Sequence, residues 1–219
     1  MTKSSTPVDS DLFSFIAVAT TPEDALLRDL RLAAQAAGLP EIHIAPEQAA
    51  FLQIALRAAH ARVVVEIGTL GGYSAIAMAR ALPADGRVIT HELEPHHAEF
   101  ARRWIARSDQ AGKIDVRVGN AADTLSALAP GSADAVFVDA DKPGYVNYLK
   151  HAMRILRSGG VLLADNVLAS GEVAHGDGPT AVAMRAFLAA ARETRGLQSV
   201  IVPLGDGCLY AVKNLGVDE

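Results

Sequence analysis

The chain has 219 residues, 50% hydrophobic and 21% charged, which is enough for one sizeable core and argues against wholesale disorder. Twenty-five acids against twenty Lys and Arg give a net charge of −5, so no global basic field draws it to nucleic acid or anionic lipid, although a local patch stays open. The one cysteine, Cys208, excludes an internal disulfide and a Cys-rich zinc site and fits a cytoplasmic protein.

The opening MTKSSTPVDS lacks the apolar stretch of a signal peptide, and no apolar run reaches about 18 residues, so no membrane span is expected. One domain is expected over residues 1–219. It comprises a polar, mobile tail (1–10), an N-terminal helical cap (11–60) and a core (61–213). Thr21-Pro22-Glu23-Asp24 reads as a helix start, with Thr21 as N-cap, Pro22 at the first helical position and Asp24 closing a variant capping box. Leu26, Leu27, Leu30, Ala33, Ala34 and Ala37 supply its apolar face, and Gly38 and Pro40 stop it. A second helix is expected from about Pro46 to His60.

From Arg62 the pattern alternates strand and helix. Val63–Val65, Arg87–Thr90, Ile114–Val118, Ala135–Val138 and Val161–Ala164 read as strands. Helices are expected at about Gly72–Leu82, Pro95–Ala111 with Gly112 as its stop, Tyr145–Leu156 and Pro179–Arg195. Ser199–Val202 and Cys208–Val212 flank the turn Leu204-Gly205-Asp206-Gly207 and close the chain as a hairpin. The expected fold is α/β, a mainly parallel sheet with helices on both faces and an antiparallel strand near one edge.

Such sheets bind ligands beyond the carboxyl ends of their strands, where the strand order reverses. The residues to read are therefore Glu66, Glu92, Asp139 and Asp165-Asn166. After the first strand comes Glu66-Ile67-Gly68-Thr69-Leu70-Gly71-Gly72-Tyr73-Ser74. Glycines let the backbone turn tightly and approach a ligand. The dinucleotide pattern G-x-G-x-x-G is not met, because Leu70 stands where the second glycine belongs. E-x-G-x-x-x-G instead resembles the first motif of class I S-adenosylmethionine methyltransferases. Glu92, twenty residues beyond Gly72, can accept ribose hydroxyls. The plainer alternative is a structural turn and a surface acid.

Asp139 ends the fourth strand and Asp165-Asn166 the fifth. Adjacent strands lie about 5 Å apart, so these side chains can converge. Two carboxylates and an amide oxygen suit Mg²⁺ or Ca²⁺ and make a poor zinc site. Taken alone, such acids could equally cap helices or bind a cofactor. Lys142, near a dication and apolar walls, can act as a general base; without the cluster it reads as a solvated lysine.

Together these residues resemble the cation-dependent O-methyltransferase family, which contains catechol and caffeoyl-CoA O-methyltransferases. The matching stretches are VVVEIGTLGGYSAIAMA, VITHELEP, AVFVDADKPGYVNY, GGVLLADNV and PLGDGCLYAVK, within about residues 10–213. The resemblance implies a seven-stranded Rossmann-like methyltransferase sheet, S-adenosylmethionine as methyl donor, and Mg²⁺ or another divalent cation such as Mn²⁺ or Ca²⁺. It implies Asp139, Asp165 and Asn166 as metal ligands and Lys142 as the catalytic base. Glu66, Gly68, Thr69, Ser74, Glu92 and the segment Gly119-Asn120-Ala121-Ala122 match the cofactor shell, and Asp139 lies close to the sulfonium. Ile44 matches a residue covering the methionine part, and His91 and Leu93 would flank the adenine. Animal catechol enzymes have Trp where Asp141 stands and Glu where Leu209 aligns, so Asp141 matches the bacterial and plant branch. Ala169–Thr180 and the N-terminal region are expected to shape the acceptor pocket. A catechol-type small molecule is the implied acceptor, and a homodimer the expected assembly.

Several residues have plainer readings. His96 and His97 are expected to be solvated, and His43, His60 and His151 show no ligand spacing. His175 could touch substrate from its glycine-rich loop. Cys208, Tyr145 and Tyr148 are expected to pack. Three other functions compete: a tRNA hydroxyuridine methyltransferase, opposed by the acidic balance; a nicotinamide oxidoreductase, opposed by the glycine spacing; and a binding protein with a dead site, opposed by the complete acid and lysine set.

Overall fold

The computed structural model describes residues 6–214; half of the expected tail, residues 1–5, lies outside them. Helix α1 already begins at the tail's last residue and spans Ser10–Ala19, with Asp9 accepting the Leu12 N–H at 2.9 Å as its cap. Helix α2 spans Ala25–Ala36. Its cap is Asp24 and not Thr21. The Asp24 carboxylate accepts the N–H groups of Leu26 and Leu27, which would otherwise lack partners. It also pairs with Arg80, at the end of α4 (Tyr73–Ala79), so the cap ties α2 to the core. Helix α3 spans Pro46–Ala58.

The strands are β1 (Val63–Ile67), β2 (Arg87–Glu92), β3 (Ile114–Val118), β4 (Ala133–Val138), β5 (Leu156–Ala164), β6 (Leu197–Val202) and β7 (Cys208–Lys213). Between them lie α5 (Pro95–Arg107), α6 (Ala121–Ser126), α7 (Tyr145–Ile155) and α8 (Pro179–Glu193). Two expectations need correction. Helix α5 ends at Arg107, where Ser108 turns to extended backbone; Gly112 lies in a separate 3-10 turn. Helix α6 was not expected; Asn120 caps it by accepting the Ala122 N–H at 2.9 Å.

The strand order is β3-β2-β1-β4-β5-β7-β6. Strand β7 runs antiparallel to both neighbours, and the other pairings are parallel. It is therefore the one reversed strand of the seven, and β6, not β7, forms the edge. Alternate side chains of each strand feed two cores. Val64, Val88, Phe137 and Leu163 meet Leu30, Leu56, Ile76 and Phe100 on one face. Val65, Val136, Leu162 and Leu209 meet Tyr145, Met184 and Phe187 on the other. Each such side chain contributes about 1.5–3 kcal/mol when fully buried. The strand order reverses between β1 and β4, which puts Gly68 and Asp139 side by side at the carboxyl ends.

Candidate active site

The glycine loop is built against β2 and β4. Gly68 has φ +99°, and its N–H donates to the His91 carbonyl at 3.0 Å. A Cβ at residue 68 would lie 1.9 Å from the Asp139 carbonyl oxygen, so only glycine fits there. Leu70 also has a positive φ, +49°. Glu92 holds that turn: its Oε2 accepts the N–H of Leu70 at 2.7 Å and of Thr69 at 3.2 Å, and its Oε1 that of Glu94 at 3.0 Å.

Glu66 is fully buried. One oxygen accepts from the Ser74 hydroxyl, while Oε2 has no partner among the described residues. Burial pushes its carboxyl up to about 8, against the opposing hydrogen bond from Ser74. Thr69 is buried with its hydroxyl 2.5 Å from that of Thr90. His91 turns Nδ1 to the Glu66 carbonyl at 2.9 Å, and burial lowers its imidazole pKa.

Across the switch point, Lys142 Nζ lies 2.7 Å from Asn166 Oδ1, 2.9 Å from the Tyr145 hydroxyl and 3.4 Å from Asp139 Oδ1. The Tyr145 hydroxyl in turn lies 3.0 Å from the Asp165 carbonyl. Burial pushes the Asp165 carboxyl up to about 7, with the Asp139 charge adding to the rise. Burial also raises Asp139, with Lys142 opposing. Asp165 Oδ1 accepts from the Asn166 N–H and the Gln48 side-chain amide, both at 2.7 Å. Asn166 reaches its place through φ +58°.

Among the described residues no group of three or more His, Cys, Asp or Glu is placed to hold a metal. With the amide oxygen of Asn166, however, Asp139 and Asp165 form a hard-oxygen set, in which Lys142 bridges Asp139 and Asn166. A dication would offset the burial of the Asp165 carboxylate and, beyond that, its repulsion by the Asp139 charge. The donor chemistry therefore fits Mg²⁺, Mn²⁺ or Ca²⁺.

A cleft of about 1150 Å³ joins both halves. Ile44, Gly68, Thr69, Ser74, Glu92, Leu93, Ala121, Asp139, Lys142, Asp165 and Asn166 all line it. Glu66 does not; it lies behind the wall, bonded to Ser74, which does. Leu93 is 64% exposed at the rim. Asp141 also lines the cleft, where its carboxylate accepts the Gly144 N–H and the Tyr148 hydroxyl. Ala169, Ser170, Glu172 and Thr180 contribute the far wall, whereas His175 and Leu209 do not line it. His97 departs from expectation: it is largely buried, 3.6 Å from Glu92 Oε1, while His96 is exposed. His43 is also on the wall; its Nε2 has no partner among the described residues, and burial lowers its pKa. Cys208 is buried as expected.

Three contributors escaped the sequence reading. Tyr145 packs in the core against Phe187 as expected, and its hydroxyl also meets Lys142 three residues away, one helical turn along the same chain. His97 follows Glu92 by five residues across a proline-started helix. Gln48 carried one legible signal: it is the third helical residue after Ala45, where a Gln reaches back to the N-cap N–H.

A sequence profile described as O-methyltransferase matches residues 17–214. A catechol O-methyltransferase of Mycobacterium tuberculosis is 41% identical over 197 residues, covering 90% of each chain. Among solved structures, cofactor-bound Rv0187 from MTB superposes with a TM-score of 0.88 at 38% identity, covering 97% of this chain and 100% of that one. The O-methyltransferase from Bacillus cereus in complex with SAH gives 0.85 at 32% identity, covering 93% and 97%.

Proposed function

Because the chain belongs to the O-methyltransferase family, we propose that it transfers the methyl group of S-adenosylmethionine to one hydroxyl of a small catechol-type molecule, with a divalent cation beside the acceptor. The observation that carries this reading is the convergence of Asp139, Asp165, Asn166 and Lys142 on the same cleft as the glycine loop.

The loop side binds the donor. Glu92 offers its carboxylate to the ribose hydroxyls while holding the turn at Thr69 and Leu70. Ser74 faces the methionine part with Glu66 behind it, and Ile44 covers that part. Leu93 lies against the adenine, and Ala121 continues the same wall. Asp139, at the junction, faces both the sulfonium and the acceptor side. A cation held by Asp139, Asp165 and Asn166 would supply positive charge that favours ionisation of a vicinal hydroxyl. Lys142 Nζ takes the hydroxyl proton. The S–CH₃ bond breaks as the O–CH₃ bond forms, and the walls exclude water from two charges that cancel.

We also propose that the enzyme is a homodimer. Helix α1 buries no residue, and Phe15 and Val18 are 67% and 88% exposed, a face that a second copy would cover. Light scattering that returned a monomer mass would reject this.

Mass spectrometry of products from catechol, caffeate and tRNA, each with S-adenosylmethionine and with or without Mg²⁺ after EDTA treatment, tests the main reading. The expected result is a catechol-type monomethyl ether formed only with the cation. Methylation of tRNA alone, or full turnover in excess EDTA, would overturn it.

A further inference from the structure

Gln48 is the only side chain of the N-terminal cap seen to bond a candidate cation ligand. It lies 6% exposed on the first turn of α3. Its Oε1 accepts the Ala45 N–H at 2.9 Å, which fixes which way the amide faces. Its Nε2 then donates to Asp165 Oδ1 at 2.7 Å and approaches the Leu204 carbonyl at 3.4 Å. The turn between β6 and β7 is shaped to admit it: Gly205 has φ +57°, and a Cβ there would lie 2.5 Å from the Gln48 amide. Asp165 Oδ1 receives a second donor, the Asn166 N–H, while no hydrogen bond reaches Oδ2 among the described residues.

We propose that Gln48 is a positioning residue, which occupies Asp165 Oδ1 and so leaves Oδ2 as the oxygen that ligates the divalent cation. This rests on the cation reading above. Two donors on one oxygen fix the carboxylate plane and make one-oxygen ligation the favoured mode. Partners that hold a ligand in this way typically change metal affinity by about 10–100-fold when removed. The same amide links the chain next to Ile44 with the turn behind the acceptor wall, so one side chain sets the cation site relative to both.

Gln48→Met keeps the side-chain volume and removes all three hydrogen bonds of the amide. Mn²⁺ binding is read directly by the loss of the free-ion paramagnetic resonance signal, with SAH binding measured by calorimetry on the same samples. The expected result is Mn²⁺ affinity lowered about 10–100-fold with SAH affinity unchanged. Equal Mn²⁺ affinity in variant and parent, or an equal loss for both ligands, would overturn the proposal, because a cap that merely supports the fold predicts one or the other. If Gln48→Met does not fold, the parent decides by nitrogen-edited NMR. The Gln48 side-chain NH₂ signals should shift with added Mg²⁺ at the same midpoint as the Asn166 backbone signal, and signals that ignore Mg²⁺ would reject it. A parent that leaves Mn²⁺ free removes the cation reading and this proposal with it.

Discussion

The carboxylate of Glu92, at the end of β2, accepts the backbone N–H of Leu70 at 2.7 Å, across the mouth of the glycine loop. Leu70 is one of the few non-glycine residues with positive φ, so the bond stabilises a conformation that its side chain disfavours. Glu92 therefore has a loop to hold as well as the nucleoside role proposed for it. Glu92→Ala should weaken S-adenosylmethionine binding by about 1.5–3 kcal/mol for each charged hydrogen bond lost, and Glu92→Gln by less. Calorimetry on both variants checks this; unchanged affinity in a folded Glu92→Ala would remove Glu92 from the site.

Gly68→Ala meets two obstacles at once, a φ of +99° and a carbonyl oxygen 1.9 Å from the new Cβ. Since the Asp139 backbone must move, we expect a loss of about 1–3 kcal/mol or more in stability, together with loss of cofactor binding. Gly112→Ala is the control, because nothing lies within 4 Å of its Cβ and its φ is ordinary. Thermal melts that rank the two equally would contradict the steric account.

Asp165→Ala should abolish methyl transfer while the fold, read by circular dichroism, persists. It removes one of the two carboxylates of the oxygen set, and Gln48, the only side chain bonded to the Asp165 carboxylate among the described residues, is an amide that cannot restore the charge. Turnover within a few-fold of the parent would show that Asp165 is dispensable.

Lys142→Ala should lower kcat by about 10²–10⁴ and leave S-adenosylmethionine affinity near that of the parent, because the proton is moved only during reaction. The defect should shrink for a nitrocatechol, already ionised near neutral pH, and as pH rises. Steady-state rates on one ordinary and one acidic catechol across pH test this, and an equal loss on both at every pH would assign Lys142 to binding alone.

Glu66 gives the cofactor-free protein a pH dependence of definite sign. Its folded carboxyl stands at about 8, above the ordinary value of 4.5, so the folded state binds the proton more tightly than the unfolded chain. The contribution is complete below pH 4.5 and is lost as pH rises through 8. Glu66→Gln removes it. The melting temperature of the variant relative to the parent should rise between pH 5 and 9, and a difference that stays flat would place the Glu66 titration outside this range.

Strand positions and the wall of the cleft were legible because they follow from short-range rules. β-branched runs become buried parallel strands, and the polar residue after each strand must face the ligand side. Glu66, Glu92, Asp139, Asp165 and Asn166 follow from that rule, whereas Lys142, three residues past Asp139, is read from its closeness to the acids. What stayed hidden depends on contacts across the chain. Asp24 prevails over Thr21 as the α2 cap because it also meets Arg80. Gln48 meets Asp165 from 117 residues away, and no local pattern announces that pairing. Glu66 matched a cofactor residue by motif, yet its depth behind Ser74 comes from sheet packing. The short α6 carries too few residues for a periodic signal.

The reversed strand β7 has a consequence for the order of assembly. It is the last strand in sequence, yet it lies between β5 and β6, so β6 has no place in the sheet until β7 has emerged. Strands β1 to β3 and the Glu92 side of the cleft are local in sequence and need nothing from the final residues. The opposite side does: Val167 and Leu168 hang their N–H groups on Gly207 and Asp206, and Ser170 on the Asp206 carboxylate. During synthesis the glycine-loop side can therefore organise first, while the side carrying Val167–Ser170 keeps an open sheet edge at β5 until β7 arrives. Chains stopped before residue 204 should retain nucleoside binding better than methyl transfer, and they should aggregate through that edge.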